Sequence, residues 1–171
     1  MKTIHNFYLI IAIILSCNTN VIAKPKTAQF EMFVLEGALG SKQILRGKYQ
    51  KGIKKITRYS DANKPHFELS AGACAANLML NRLEQAHTDC SNAIQTIETK
   101  VSRGRKYRMF TSIAYSNRAV VRFKQGDSAG ALADFSKALQ VDNNKFILKN
   151  LSVFKSRMAV HASTVDQMVS D

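Results

Sequence analysis

The chain has 171 residues, with 25 Lys and Arg against 12 Asp and Glu and a net charge of +13. That length suits one domain with a single elongated core and indicates no second domain. The basic excess invites an anionic partner: nucleic acid, acidic protein, or a lipid or lipopolysaccharide surface.

In chain order, residues 1–23 read as an export signal. Lys2 supplies the positive charge, Phe7–Leu15 is an uninterrupted apolar run, and Val21-Ile22-Ala23 offers a small-residue cleavage pattern before Lys24. This apolar run is shorter than the roughly 17–25 residues a transmembrane helix needs, so no span is expected in the mature chain. Ile14-Leu15-Ser16-Cys17 loosely resembles a lipoprotein cleavage box, which keeps anchoring through Cys17 as an alternative. Both readings take the protein out of the cytosol.

Residues 24–32 form an extended leader, with Pro25 and no helical period. In the stretch 33–66, Gly37, Gly40, Gly47 and Gly52 each cost about 1 kcal/mol inside a helix relative to Ala, so only its second helix is expected to be well formed. Ser60–Pro65 is a polar breaker, and Pro65 biases Lys64 away from helix. From Phe67, the apolar positions Leu69, Ala73, Ala76 and Leu80 recur at three- and four-residue steps. Asn81-Arg82 turns the chain, and Leu83–Ile97 makes a second helix burying Ala86, Cys90, Ala93 and Ile94.

Residues 98–108 carry a basic insertion with Gly104. Tyr107–Lys124 and Ser128–Val141 form the next helix pair, with Asp127 as N-cap. Asn143-Asn144 caps a final helix over Lys145–Met158, whose stripe of Phe146, Ile147, Leu151 and Phe154 covers the open end. The polar residues 161–171 are expected to fray.

These helix pairs repeat. The third unit reads Tyr115-Ser116-Asn117-Arg118-Ala119, then Gly126-Asp127, then Ala131, Phe135 and Ala138-Leu139, closing at Asp142-Asn143. Moving back 45 residues gives Cys74, Ala86, Cys90 and Ala93-Ile94; another 34 gives Gly40, Gly52 and Ile56. The 45 is a 34-residue period plus the 11-residue insertion. This pattern resembles a tetratricopeptide repeat of the small exported bacterial type, with units about 33–66, 67–100 and 112–145 and a cap at 145–158, all within a domain of residues 33–160.

The resemblance implies an all-α fold, a short right-handed solenoid of stacked antiparallel helix pairs with a C-terminal capping helix. It also implies a non-catalytic protein-interaction module, here in the bacterial periplasm. Relatives bind ligands along the concave face lined by the first helix of each unit. Carried over, that face is Glu68, Ala71, Ala75, Leu78 and Met79 in the second unit, and Ile113, Ser116, Val120, Phe123 and Lys124 in the third. Some relatives grip a terminal carboxylate with Lys and Asn there. Only Lys124 is basic in this lining, so an apolar peptide or helix fits better. The chain's own leader (Phe30, Met32, Phe33, Val34) is an equal contender for the groove.

Cys74 and Cys90 lie level across the turn at Asn81-Arg82, about seven residues before it and eight after. A disulfide closing that loop is worth roughly 3 kcal/mol on the entropic model; two buried thiols are the alternative. His87 and Cys90 share a helix face, but His66 and His161 form no matching cluster, so no metal is expected. No Gly-x-Ser-x-Gly, phosphate loop or paired acid/base set occurs, and neither an enzyme nor a cofactor is expected.

The basic residues crowd the first unit (Lys42, Arg46, Lys48, Lys51, Lys54, Lys55, Arg58) and the insertion. Tyr49, Tyr59 and Tyr107 are too scattered among them to support nucleic-acid stacking. The expected partner is therefore a protein or peptide. A basic envelope protein held peripherally on anionic lipid or lipopolysaccharide is the second reading.

Overall fold

The computed structural model describes residues 29–59, 66–99 and 104–169. The expected export signal, its Ala23–Lys24 cleavage point and Cys17 lie outside the described residues. Among the described residues the chain folds into seven helices and no strand: α1 Ser41–Leu45, α2 Tyr49–Tyr59, α3 Phe67–Met79, α4 Leu83–Glu98, α5 Arg105–Lys124, α6 Ser128–Val141 and α7 Lys145–Val169. Each helix packs on its successor within a unit, α4 packs on α5 and α2 on α3, while α7 closes against both α5 and α6. The result is an all-α solenoid.

One turn is used three times. Gly47, Asn81 and Gly126 stand at the 34- and 45-residue spacings, and all three adopt positive φ, at 72°, 56° and 87°. After each, the next amide reaches back over the helix end: Lys48 N–H to Gln43 O, Arg82 N–H to Asn77 O and Asp127 N–H to Arg122 O, all 2.9 Å. This is the Schellman closure, in which a left-handed residue lets the chain satisfy an orphan carbonyl. The sequence period is thus a period in backbone conformation.

Small residues mark where the helices of a pair cross. Ala86, Ala119, Ala131 and Ala138 are fully buried, with Phe135 beside them. In the first unit the matching residues are Gly40 and Gly52, where the approach is closest. A Cβ on Gly52 would meet Ile44 Cγ1 at 2.5 Å, and one on Gly40 would meet Gly52 O at 2.7 Å. Helix α1 has five residues, bounded by Gly40 and Gly47 in left-handed backbone, and the missing Cβ atoms of Gly40 and Gly52 let it sit directly on α2.

The third unit is tied by ions as well. Arg118 donates Nε and Nη2 to the two carboxylate oxygens of Asp134, each at 2.8 Å, and Arg122 Nη1 approaches Oδ2 at 3.1 Å. Burial opposes the Arg118 charge, but the Asp134 hydrogen bonds and charge outweigh it and raise its pKa.

The caps act as read from the sequence. Gly130 N–H donates to Asp127 Oδ1, and the Phe146 and Ile147 amides donate to Asn144 Oδ1. Helix α7 differs from expectation: it runs on to Val169, past the point where fraying was expected. Ser163 and Thr164 hydroxyls donate back to Val160 O, keeping these polar residues compatible with helix.

Candidate peptide-binding groove

Helices α3, α5 and α7 stand one period apart and line one face of the solenoid. Residues 29–35, which have no helical structure, cross that face as an extended segment. Two asparagines hold it. Asn150 on α7 accepts the Glu31 N–H at 2.8 Å and donates Nδ2 to the Glu31 carbonyl at 2.8 Å. Asn117 on α5 accepts the Phe33 N–H at 3.0 Å and donates Nδ2 to the Phe33 carbonyl at 3.0 Å.

Extended backbone makes this possible, because the N–H and C=O of residues i and i+2 face the same edge. The two side-chain amides therefore stand in for a neighbouring strand. Both asparagines are buried, at 1% and 0% exposure. Leaving such a group unpaired costs about 1–3 kcal/mol, so the rungs are held by necessity as well as by attraction.

Among the described residues there is no third rung. The residue 45 before Asn117 is Gly72, which is buried and has no side chain to offer. Past Leu35 the leader leaves the face in a turn closed by Ala38 N–H to Leu35 O.

The leader's side chains divide by parity, as strand geometry requires. Phe30 and Met32 settle among Leu78, Phe123, Leu151 and Met158 over the cluster of Val120, Phe135 and Phe154. The Phe30 ring lies 5.4 Å from that of Phe123, with the Arg157 guanidinium 5.5 Å above it. Phe33 and Leu35 turn to the cluster of Phe67, Ala71, Phe110 and Ile113. The Phe33 ring sits 6.4 Å from Phe110 and 6.2 Å from Phe146. Glu31 forms an ion pair with Lys149 at the half-exposed rim, a contact worth at most about 1 kcal/mol.

Among the residues assigned to the groove from sequence, Ala71, Leu78, Ile113, Val120 and Phe123 belong to these clusters. Ser116 accepts a hydrogen bond from Asn150 Nδ2 at 3.2 Å. Ala75 is buried, Glu68 half-buried, and Met79 and Lys124 are exposed. Sequence reasoning missed Asn150, Phe110, Phe146 and Leu151 as groove residues, and gave Asn117 only as part of the repeat. A usable signal was present: Asn117 and Asn150 are 33 residues apart, close to one repeat period.

Cys74 and Cys90 are joined as a disulfide between α3 and α4, with Cα atoms 5.1 Å apart, beneath Met32 and Leu78. Burial raises the Asp89 carboxyl pKa against hydrogen bonds from Asn77 and Gln85. Burial and the hydrogen bond to Glu98 push Tyr115 up to about 12. No helix among the described residues is long and apolar enough to cross a membrane.

No family model matches the chain. It is 29% identical over 140 residues to RNA polymerase II-associated protein 3 of Xenopus tropicalis, covering 82% of this chain and 20% of that protein. The Xenopus laevis protein of the same name is 29% identical over 124 residues, covering 72% and 17%. The chain thus spans about a fifth of the length of the curated relatives it matches.

Among solved structures it is similar to the second TPR domain of human RPAP3 in complex with the HSP70 peptide SGPTIEEVD, at 27% identity and a TM-score of 0.56, covering 68% of this chain and 88% of that one. The first TPR of Spaghetti (RPAP3) bound to the HSP90 peptide SRMEEVD gives 26% and 0.55, covering 70% and 87%. The first TPR domain of human RPAP3, at 23% identity and a TM-score of 0.58 over 72% and 90% of the two chains, supports the fold. These likenesses bear out the tetratricopeptide-repeat reading.

They overturn the bacterial periplasmic setting, since both curated relatives are Xenopus proteins named for association with RNA polymerase II. One lysine and nine apolar residues carry no information about the kind of cell. The bacterial setting belongs to the exported-type resemblance, which the repeat residues alone do not carry.

Proposed function

This chain is a tetratricopeptide-repeat protein, and from that premise we propose that it is a non-catalytic interaction module whose groove holds a protein segment in extended form. The observation that carries the proposal is the Asn117–Asn150 ladder, which bonds backbone and so accepts a segment without regard to most of its side chains. Two structural neighbours bound to HSP70 and HSP90 peptides support a peptide as the kind of ligand. Those peptides carry a Glu-Glu-Val-Asp end. Here the face is lined by aromatic and aliphatic side chains, which favours an apolar, aromatic segment over an acid-rich one.

The test cuts the leader free after folding. A protease site inserted between the exposed Glu36 and Gly37 detaches the segment that ends at Glu36, leader included, and a fluorescent copy of residues 29–36 is then offered. The cut protein should exchange its leader for the copy in a saturable way. Asn117→Ala and Asn150→Ala should each weaken uptake by about 1–3 kcal/mol, roughly 5- to 150-fold. Uptake that is absent, or indifferent to both asparagines, contradicts the proposal.

A further inference from the structure

Taking the groove's peptide-binding role as the premise, we infer that residues 29–35 are a built-in competitor. The partner that displaces them is a protein segment carrying an aromatic–acidic–aliphatic–aromatic run, the chemistry of Phe30-Glu31-Met32-Phe33.

The attachment of this segment is that of a ligand. Its backbone is held by side-chain amides, so any extended chain of matching length satisfies the same rungs. Its aromatic residues Phe30 and Phe33 are only half buried, whereas the core residues Phe67 and Phe135 are 1% and 0% exposed. It joins α1 through the exposed Glu36-Gly37 link, where Gly37 has φ +85° and open space around it. That link can open at the cost of the Ala38–Leu35 hydrogen bond, without disturbing a packed helix.

The groove also states what the displacing segment needs. Phe123 with Arg157 receives one aromatic ring, and Phe110 with Phe146 receives another three residues on. Lys149 stands beside the residue after the first ring and prefers an acid there. Between the rings, the Met32 position faces Leu78 and the disulfide, which suits an aliphatic side chain.

Tethering sets the threshold. A segment on a short linker acts at an effective concentration on the order of 1 mM. With a leader whose own Kd for the empty groove is on the order of 10 µM, any free peptide then appears about 100-fold weaker. Partners without both aromatic anchors are screened out, and those with better contacts open the site.

The experiment uses the uncut full chain and a fluorescent synthetic peptide, Gln-Phe-Glu-Met-Phe-Val-Leu-Glu, with a control in which both Phe are Ala. The peptide should bind the Phe30→Ala/Phe33→Ala protein at least ten-fold more tightly than the wild type, and the control should bind neither. Equal affinity for the two proteins, or no binding to the variant, overturns the competitor role. Should the variant misfold, the wild type alone decides. Millimolar peptide should accelerate hydrogen exchange at the Glu31 and Phe33 amides, and unchanged exchange makes the segment a permanent part of the fold. A cut chain that still exchanges its leader while the uncut chain fails this test leaves the groove's peptide-binding role intact and removes only the competition.

Discussion

Asparagines 117 and 150 illustrate what single residues tell at this scale. A buried amide has two donors and an acceptor to satisfy, and at these two places the partner is main chain from more than eighty residues away in sequence. Nothing local distinguishes Asn150 from a polar residue on a capping helix. Its role emerges only when α7 is aligned with α5. Asp134 is the opposite case, legible in structure alone, because Arg118 and Arg122 both converge on a carboxylate whose side chain is 5% exposed. Asp134→Ala should lower unfolding stability by about 1.5–3 kcal/mol, since it removes charged hydrogen bonds from the partly buried Arg118 and Arg122. Chemical denaturation measures this, and a loss below about 1 kcal/mol would mean the pair is no more than a surface bridge.

Elements were read best where the repeat chemistry was complete. Helix α6 occupies Ser128–Val141 as the Asp127 cap and the alanine spacing dictate, and α3 begins at Phe67 as expected. The first unit was harder, because its glycines read as helix breakers. Two of them, Gly40 and Gly52, are crossing-point residues. The end of α7 was missed because polarity was taken for disorder, although Ser and Thr can bond back to the preceding turn.

The shared turn gives a clean test. Gly126→Ala should cost about 1–2 kcal/mol, the penalty of left-handed backbone for a residue with Cβ, since nothing lies within 4 Å of the added atom. Asn81→Gly, at the equivalent turn, should be neutral or slightly stabilising in the same thermal melts. The disulfide gives another. Cys74→Ala/Cys90→Ala should lose at most about 3 kcal/mol from loop entropy, plus packing. Cys74→Ala/Cys90→Phe should recover part of it by copying Ala119 and Phe135. A double-Ala variant as stable as wild type would leave the bridge without a structural role.

At the scale of the whole molecule, period and composition were enough for the solenoid and for an apolar groove, but not for its contents. The leader, with Phe30, Met32, Phe33 and Val34, stood as one of two occupants because strand-like pairing to helix side chains leaves no local periodicity. The third position of the ladder, Gly72, explains where the segment stops, and that too requires the stacked helices. The chain fills its own groove through the two asparagine rungs. Amide hydrogen exchange of the wild-type protein, read residue by residue by NMR, tests it most directly. Glu31 and Phe33, whose N–H groups are held by Asn150 and Asn117, should exchange about 100-fold or more slowly than in the free peptide, the ratio expected for a tethered ligand. Exchange of both amides at the free-peptide rate would contradict the account and leave the groove empty in solution.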